Sequence, residues 1–341
     1  MRRIRRTSAL TGLMLIGLGL CAASAHAGCD SGLKVIARIA GPDGGWDYAS
    51  FDSARGRVYI AHGAQVMVIE AGSGAVIPRF ADGDHLHAVV PVPGADRLVT
   101  TNSGDATARI ISAADGRLIA SLPTAADPDG AVYDPSTGFV LVMDGEGQEV
   151  TLVDPVGERV AGSISMNGKL EFPAVDAKGR LFVNVEDKSE IAVVDIGARK
   201  VTRHYPLTGC QAPTGLAYVA GERLIAACSD GAVKILSARD GAEIASLATG
   251  RGPDAVIYDA GRALAYVPSG VQGELAVIAL TGPANNTLIA TVPTQKGART
   301  GAVDSTSGRL YLPAADFLPP ASPGARAKPK PGTFIVLVLG R

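Results

Sequence analysis

GPDAVIYDAGRALAYVPSGVQGELAVIAL, residues 252–280, reads as three short strands joined by tight turns. Pro253-Asp254 opens the unit and Val256 and Tyr258 alternate with smaller neighbours. Asp259-Ala260-Gly261-Arg262 then supplies turn chemistry before Leu264 and Tyr266 begin the return. A unit of this size leaves an apolar face uncovered, so it must stack against copies of itself. Aligned on the residue after each turn, the copies fall at Arg57, Arg97, Phe139, Arg180, Arg223, Ala263 and Arg309, spaced by 40, 42, 41, 43, 40 and 46 residues. Seven anchors predict seven units. A period in the low forties, β-branched runs such as VTLVD, IAVVD and VKILS, and punctuation by 42 Gly and 21 Pro fit propeller blades of about four strands. Helical repeats of this length would show a helical apolar period and fewer glycines.

The predicted fold is all-β, a single seven-bladed β-propeller spanning residues 28–341. Its seventh unit is one strand short, while LKVIARIA at 33–40 precedes the first full unit. Adding that N-terminal strand to the last blade closes the circle and protects an exposed sheet edge. Residues 317–333, FLPPASPGARAKPKPGT, interrupt blade 7 and carry Arg326, Lys328 and Lys330. This Pro-rich segment reads either as a surface loop with local polyproline II character or as a lid.

Residues 1–27 read as a secretory signal peptide. Arg2, Arg3, Arg5 and Arg6 form the basic region, 10–21 the apolar core, and Ala25-His26-Ala27 the small-residue cleavage site before Gly28. The apolar run is too short for a membrane anchor. The expected location is therefore the periplasm or the exterior. Without the leader, 28 basic residues face 33 acidic ones. That balance argues against a general phosphate-backbone binder, so nucleic acid ranks last among partners. In an oxidising compartment Cys210 and Cys228, placed symmetrically about the turn at 219–222, are predicted to form a disulfide across the mouth of a hairpin.

Several blade entries resemble the YVTN-repeat, YncE-like seven-bladed β-propellers of bacterial envelopes. The matching stretches are GGWDYASFDSARGRVYIAHG (44–63), DPDGAVYDPSTG (127–138), KLEFPAVDAKGRLFVNVEDKSE (169–190), APTGLAYV (212–219) and PTQKGARTGAVDSTSGRLYLPAADF (293–317). The resemblance covers 33–341 and implies the propeller fold with strand closure. It also brings an association of one member with single-stranded DNA, which the charge balance here does not favour.

Counting back five residues from the end of each innermost strand gives Asp47, His87, Asp129, Glu171, Thr214, Asp254 and Arg299. All are polar, and in a propeller this position begins the strand lining the channel, so the seven are expected to share one mouth, flanked by Trp46 and Thr300. An Asp here can also be a mere turn cap. A set that varies through Asp, His, Glu, Thr and Arg points instead to a site. Four crowded carboxylates repel one another and invite a cation or Arg299 as partner. Asp47, Asp129, Glu171 and Asp254 suit Ca²⁺ or Mg²⁺; adding His87 moves the preference toward Zn²⁺ or Mn²⁺. Alternatively the acids take hydrogen bonds from a small polar or cationic ligand, with Trp46 as a wall and Arg299 as an anion partner. The chain lacks a haem-attachment, nucleophile-elbow, His-x-x-Glu-His or Gly-rich phosphate motif. The ranking is thus a monomeric, non-catalytic module binding a small ligand or an envelope protein first, a metal-dependent lactonase, hydrolase or lyase second, and single-stranded DNA binding third.

Overall fold

In a computed structural model, which describes residues 32–282, 286–322 and 327–341, every repeat forms a four-stranded antiparallel sheet, seven in all. The expected leader, its cleavage point and Arg326 lie outside the described residues. The innermost strands are Ala49–Asp52, Leu86–Pro91, Pro128–Asp134, Leu170–Val175, Pro213–Val219, Ile257–Asp259 and Ala302–Asp304. Each packs beside the next, and the first also packs beside the last, so the sheets stand in a ring. Among the described residues no helix is long and apolar enough to cross a membrane.

The turns that end these strands show why Asp recurs there. Asp52 Oδ1 accepts from the backbone N–H groups of Ala54 and Arg55 at 2.9 and 3.2 Å. Asp134, Asp176, Asp259 and Asp304 accept from turn amides in the same way. Each of these carboxylates supplies an acceptor that a tight turn otherwise lacks.

Apolar side chains alternate to the two faces of each sheet and fill the space between neighbouring blades. Phe182 and Ile191 of blade 4 pack with Leu216 and Leu224 of blade 5, and Val58 and Ile60 of blade 1 with Tyr311 and Val336 of blade 7. Seven such cores follow from seven interfaces. The anchor arginines add polar staples: Arg57 Nη1 donates to Ala113 O at 3.0 Å, Arg180 Nη1 to Ala238 O at 2.6 Å and Arg223 Nη1 to Gly282 O at 2.8 Å, each in the next blade.

The circle closes as expected. Lys34–Ala40 pairs antiparallel with Ile335–Gly340, from Lys34 opposite Gly340 to Ala40 opposite Ile335. Blade 7 is therefore built from both ends of the described chain. In blade 5, Cys210 and Cys228 are joined, with Cα atoms 5.5 Å apart. The bond closes a loop of 18 residues. Loop-closure entropy for that length is worth about 3 kcal/mol. Replacing both cysteines by Ala is expected to lower unfolding free energy by roughly that amount in urea titration, and reductant should bring the wild-type chain to the same midpoint.

Candidate functional site

Four of the seven ring residues, His87, Asp129, Glu171 and Thr214, occupy the second position of their innermost strands. Asp47, Asp254 and Arg299 lie in the entries just before the strands of blades 1, 6 and 7. Because the strands stand radially, residues some forty positions apart meet. His87 Nδ1 lies 2.7 Å from Asp47 Oδ2 of blade 1 and 3.4 Å from Asp129 Oδ1 of blade 3. Arg299 Nε donates to Asp254 Oδ2 at 2.7 Å, its Nη2 donates to Trp46 O at 3.1 Å and lies 3.6 Å from Asp47 Oδ1. Its guanidinium carbon stands 5.9 Å from the Trp46 ring centre.

These carboxylates are not turn caps. That role belongs to the aspartates five residues further on, which leaves Asp47 facing His87 and Asp254 facing Arg299. Asp47 Oδ1 and Asp129 Oδ1 are buried without a hydrogen-bond partner. Arg299 at 3.6 Å from the first and His87 at 3.4 Å from the second are ion-pair contacts without a good hydrogen bond, so each oxygen can still take a closer donor or a cation.

The titration behaviour follows from this crowding. Burial, then the charges of Asp47 and Asp254, pushes the Asp129 carboxyl up to about 7. Burial alone would lower His87, but the Asp47 hydrogen bond and the Asp129 charge outweigh it and hold the imidazole at about 8. Glu171 is raised furthest, to about 9, by burial and by Asp129, Asp254 and Glu186, with Lys169 opposing at 3.4 Å. Tyr48, buried under the ring, is pushed well up by its own burial and then by Asp129, Asp254, Glu171 and Asp47. Carboxylates from four blades thus act on one phenol.

A cavity of about 330 Å³ opens among these groups, lined by Trp46, Asp47, His85, His87, Arg299 and Phe317, with Ala327 and Pro329 beside them. The Pro-rich segment supplies the last three. It folds back on itself through hydrogen bonds from Leu318 N to Lys328 O and from Lys330 N to Asp316 O, and its Phe317 ring stands 6.0 Å from that of Trp46. Phe317, Ala327 and Pro329 thus stand beside the mouth. A larger cavity of about 650 Å³ lies between the outer parts of blades 6 and 7, lined by Leu33, Ile36, Arg262 and Tyr266 among others. None of the seven ring residues lines it, so the chemistry belongs to the smaller one.

The sequence set is therefore divided by the structure. Trp46, Asp47, His87 and Arg299 line the cavity. Asp129 and Asp254 stand beside it, in contact with His87 and Arg299. Thr214 and Thr300 use their hydroxyls to staple blades, donating to Pro253 O at 2.7 Å and Asp47 O at 2.8 Å. Glu171 sits with Lys169 and Glu186, which are themselves paired. Sequence reasoning passed over three residues. Ser103 Oγ lies 3.0 Å from His87 Nε2 and 3.0 Å from His85 Nδ1; it follows a second strand directly, and only a register count across the blade would have found it. His85, two residues before His87 in an HLH triplet, and Phe317 complete the cavity wall.

No family model and no curated protein matches the chain. Solved structures resemble it in fold. A chain of hydrazine synthase from Kuenenia stuttgartiensis aligns with a TM-score of 0.71 at 12% identity, covering 80% of this chain and 94% of that one. A chain of a mitotic checkpoint complex aligns at 0.73 and 12% identity over 97% and 99%. The WD40 repeats of RRP9 align at 0.71 and 10% identity over 90% and 97%. At such identities the likeness establishes the seven-bladed propeller and leaves activity to be argued from the site.

Proposed function

We propose that this protein is an exported, non-catalytic propeller scaffold of the YVTN-repeat, YncE-like kind. Its channel mouth receives a small polar ligand that brings positive charge or hydrogen-bond donors to the acidic ring. The observation that carries the reading is the pair of buried oxygens, Asp47 Oδ1 and Asp129 Oδ1, which have ion-pair contacts at 3.6 and 3.4 Å but no hydrogen bond, beside a cavity walled by Trp46, Phe317 and Arg299. Acceptors in excess of donors select a cation or a donor-rich group, and aromatic walls favour an organic cation further. The likeness of fold to a chain of a mitotic checkpoint complex is consistent with a scaffold role. Export rests on the leader at 1–27.

Trp46 is the only tryptophan in the chain, so its emission reports directly on the cavity. Titration of the full chain with two probe classes, chloride salts of divalent cations and small primary or quaternary amines, is expected to give a saturable change with at least one class at or below millimolar concentration. Succinate should give none. Absence of a saturable change with both classes overturns the reading.

A further inference from the structure

Asp47, His87 and Asp129 each offer one ligand atom, and these atoms all lie within 4.8 Å of one another. Resting on the reading of the mouth as a receiver of positive charge, we propose that the three side chains hold one divalent transition-metal ion, Zn²⁺ or Mn²⁺, beside the Trp46 cavity.

One of the two distances is already what such an ion needs, and the other, a hydrogen bond in the metal-free site, must open to admit it. Ligands at about 2.1 Å in tetrahedral array stand about 3.4 Å apart, and His87 Nδ1 is 2.7 Å from Asp47 Oδ2 and 3.4 Å from Asp129 Oδ1. A simple imidazole–carboxylate pair would need one acid. Here a second arrives from another blade, and both acids keep a buried oxygen without a hydrogen-bond partner.

The surroundings are those of a ligand set already oriented. His87 Nε2 is held by Ser103 Oγ at 3.0 Å, which leaves Nδ1 toward the two acids. A metal-binding histidine characteristically has its other ring nitrogen tied down in this way. The backbone carbonyls of both aspartates are also fixed, Asp47 O by the Thr300 hydroxyl at 2.8 Å and Asp129 O by the Thr101 hydroxyl at 2.7 Å.

A separate observation points to a ligand at the same place. Trp46 is 6% exposed, lines the cavity, and its indole N–H has no partner. It adds an unsatisfied donor to the residues that wall the cavity. Two carboxylates and one imidazole leave a coordination position for water or for a ligand oxygen. The imidazole and the small number of oxygens weigh against Ca²⁺, which takes six to eight oxygens, and against Mg²⁺, which keeps an octahedral oxygen shell.

The test is calorimetric titration of the full chain, freed of metal by chelator, with Zn²⁺, Mn²⁺, Ca²⁺ and Mg²⁺ in turn. The expected result is one Zn²⁺ or Mn²⁺ per chain, bound at least about tenfold more tightly than Ca²⁺ or Mg²⁺. Asp47→Asn and His87→Ala should each abolish that binding, and Ser103→Ala should weaken it by about tenfold to a hundredfold. No stoichiometric transition metal, or binding that survives Asp47→Asn and His87→Ala, overturns the proposal. Should either variant fail to fold, Mn²⁺ broadening of imidazole resonances in the wild-type chain decides. Selective loss of the His87 signals, with those of exposed His204 retained, supports the site; equal broadening, or absent broadening where calorimetry shows no stoichiometric Zn²⁺ either, overturns it. If amines change Trp46 emission while no metal binds, this inference fails and the ligand reading stands. If neither binds, both fail.

Discussion

Glu171→Gln is expected to make the metal-free protein more stable than wild type at pH 8 and to remove much of its alkaline loss of stability. Glu171 is held at about 9 in the folded chain, by burial first and then by Asp129, Asp254 and Glu186. Unfolded, the same carboxyl titrates near 4.5. Between those values the folded state keeps a proton that the unfolded state has lost, so stability falls as pH rises. One such differential proton costs up to about 1.4 kcal/mol per pH unit. Asp129, raised to about 7, contributes in the lower part of the window, and His87, raised from 6.5 to about 8, adds a smaller loss through its own range. Gln carries no proton to lose, so the share above pH 7 that belongs to Glu171 disappears. Urea titrations of both chains between pH 5 and 9 read the effect; parallel profiles would contradict it.

The second large effect is on binding. Asp129→Ala together with Asp254→Ala should reduce the affinity for whichever probe changes Trp46 emission by on the order of a hundredfold or more, because removing one partner of a buried charge contact costs several kcal/mol. The fold should persist. Turn capping is carried by Asp134 and Asp259, in the same two blades, and those are untouched. Arg299 retains Trp46 O at 3.1 Å and Asp47 at 3.6 Å, and the loss of Asp129 relieves crowding at Glu171. Far-UV circular dichroism and the urea midpoint separate the outcomes. Lost binding with a near-wild-type midpoint supports the ring as a site, whereas an unfolded double variant returns these residues to a structural role.

The architecture was legible because its determinants are local and repeated. A tight turn every forty or so residues, most often opened by Asp and followed by an anchor such as Arg57, Arg180 or Arg309, fixes each hairpin, and a hairpin with two apolar faces has nowhere to go but between two others. The incomplete seventh unit and the spare strand at 33–40 likewise implied each other, as did Cys210 and Cys228. Counting from the turn also placed the ring, since one offset in a repeat selects one height on the channel.

The pairings around the ring could not be read in the same way. Whether His87 meets Asp47, Asp129 or both depends on the angle between blades and on rotamers, which no spacing encodes. The same holds for Arg299, which pairs with Asp254 one blade back. Thr214 and Thr300 share the ring's height but turn their hydroxyls to neighbouring carbonyls, an outcome set by local backbone geometry. Several second-strand ends follow suit: Asn184 donates to Gly215 O, Ser269 to Gly250 O, and His62 packs edge-on against Phe334. Phe317 belongs to an insertion outside the repeat, so no alignment of blades would have brought it to the mouth.

The central claim is that side chains from successive blades, forty residues apart, act on one another at a shared mouth. The most direct measurement is an NMR pH titration of the His87 imidazole in the metal-free chain, with Asp129→Asn as its companion. The account predicts a pKa near 8 in the wild type, shifted downward when the Asp129 charge is removed. A value at or below the ordinary 6.5, unchanged in Asp129→Asn, would show that these residues do not meet and would remove the site.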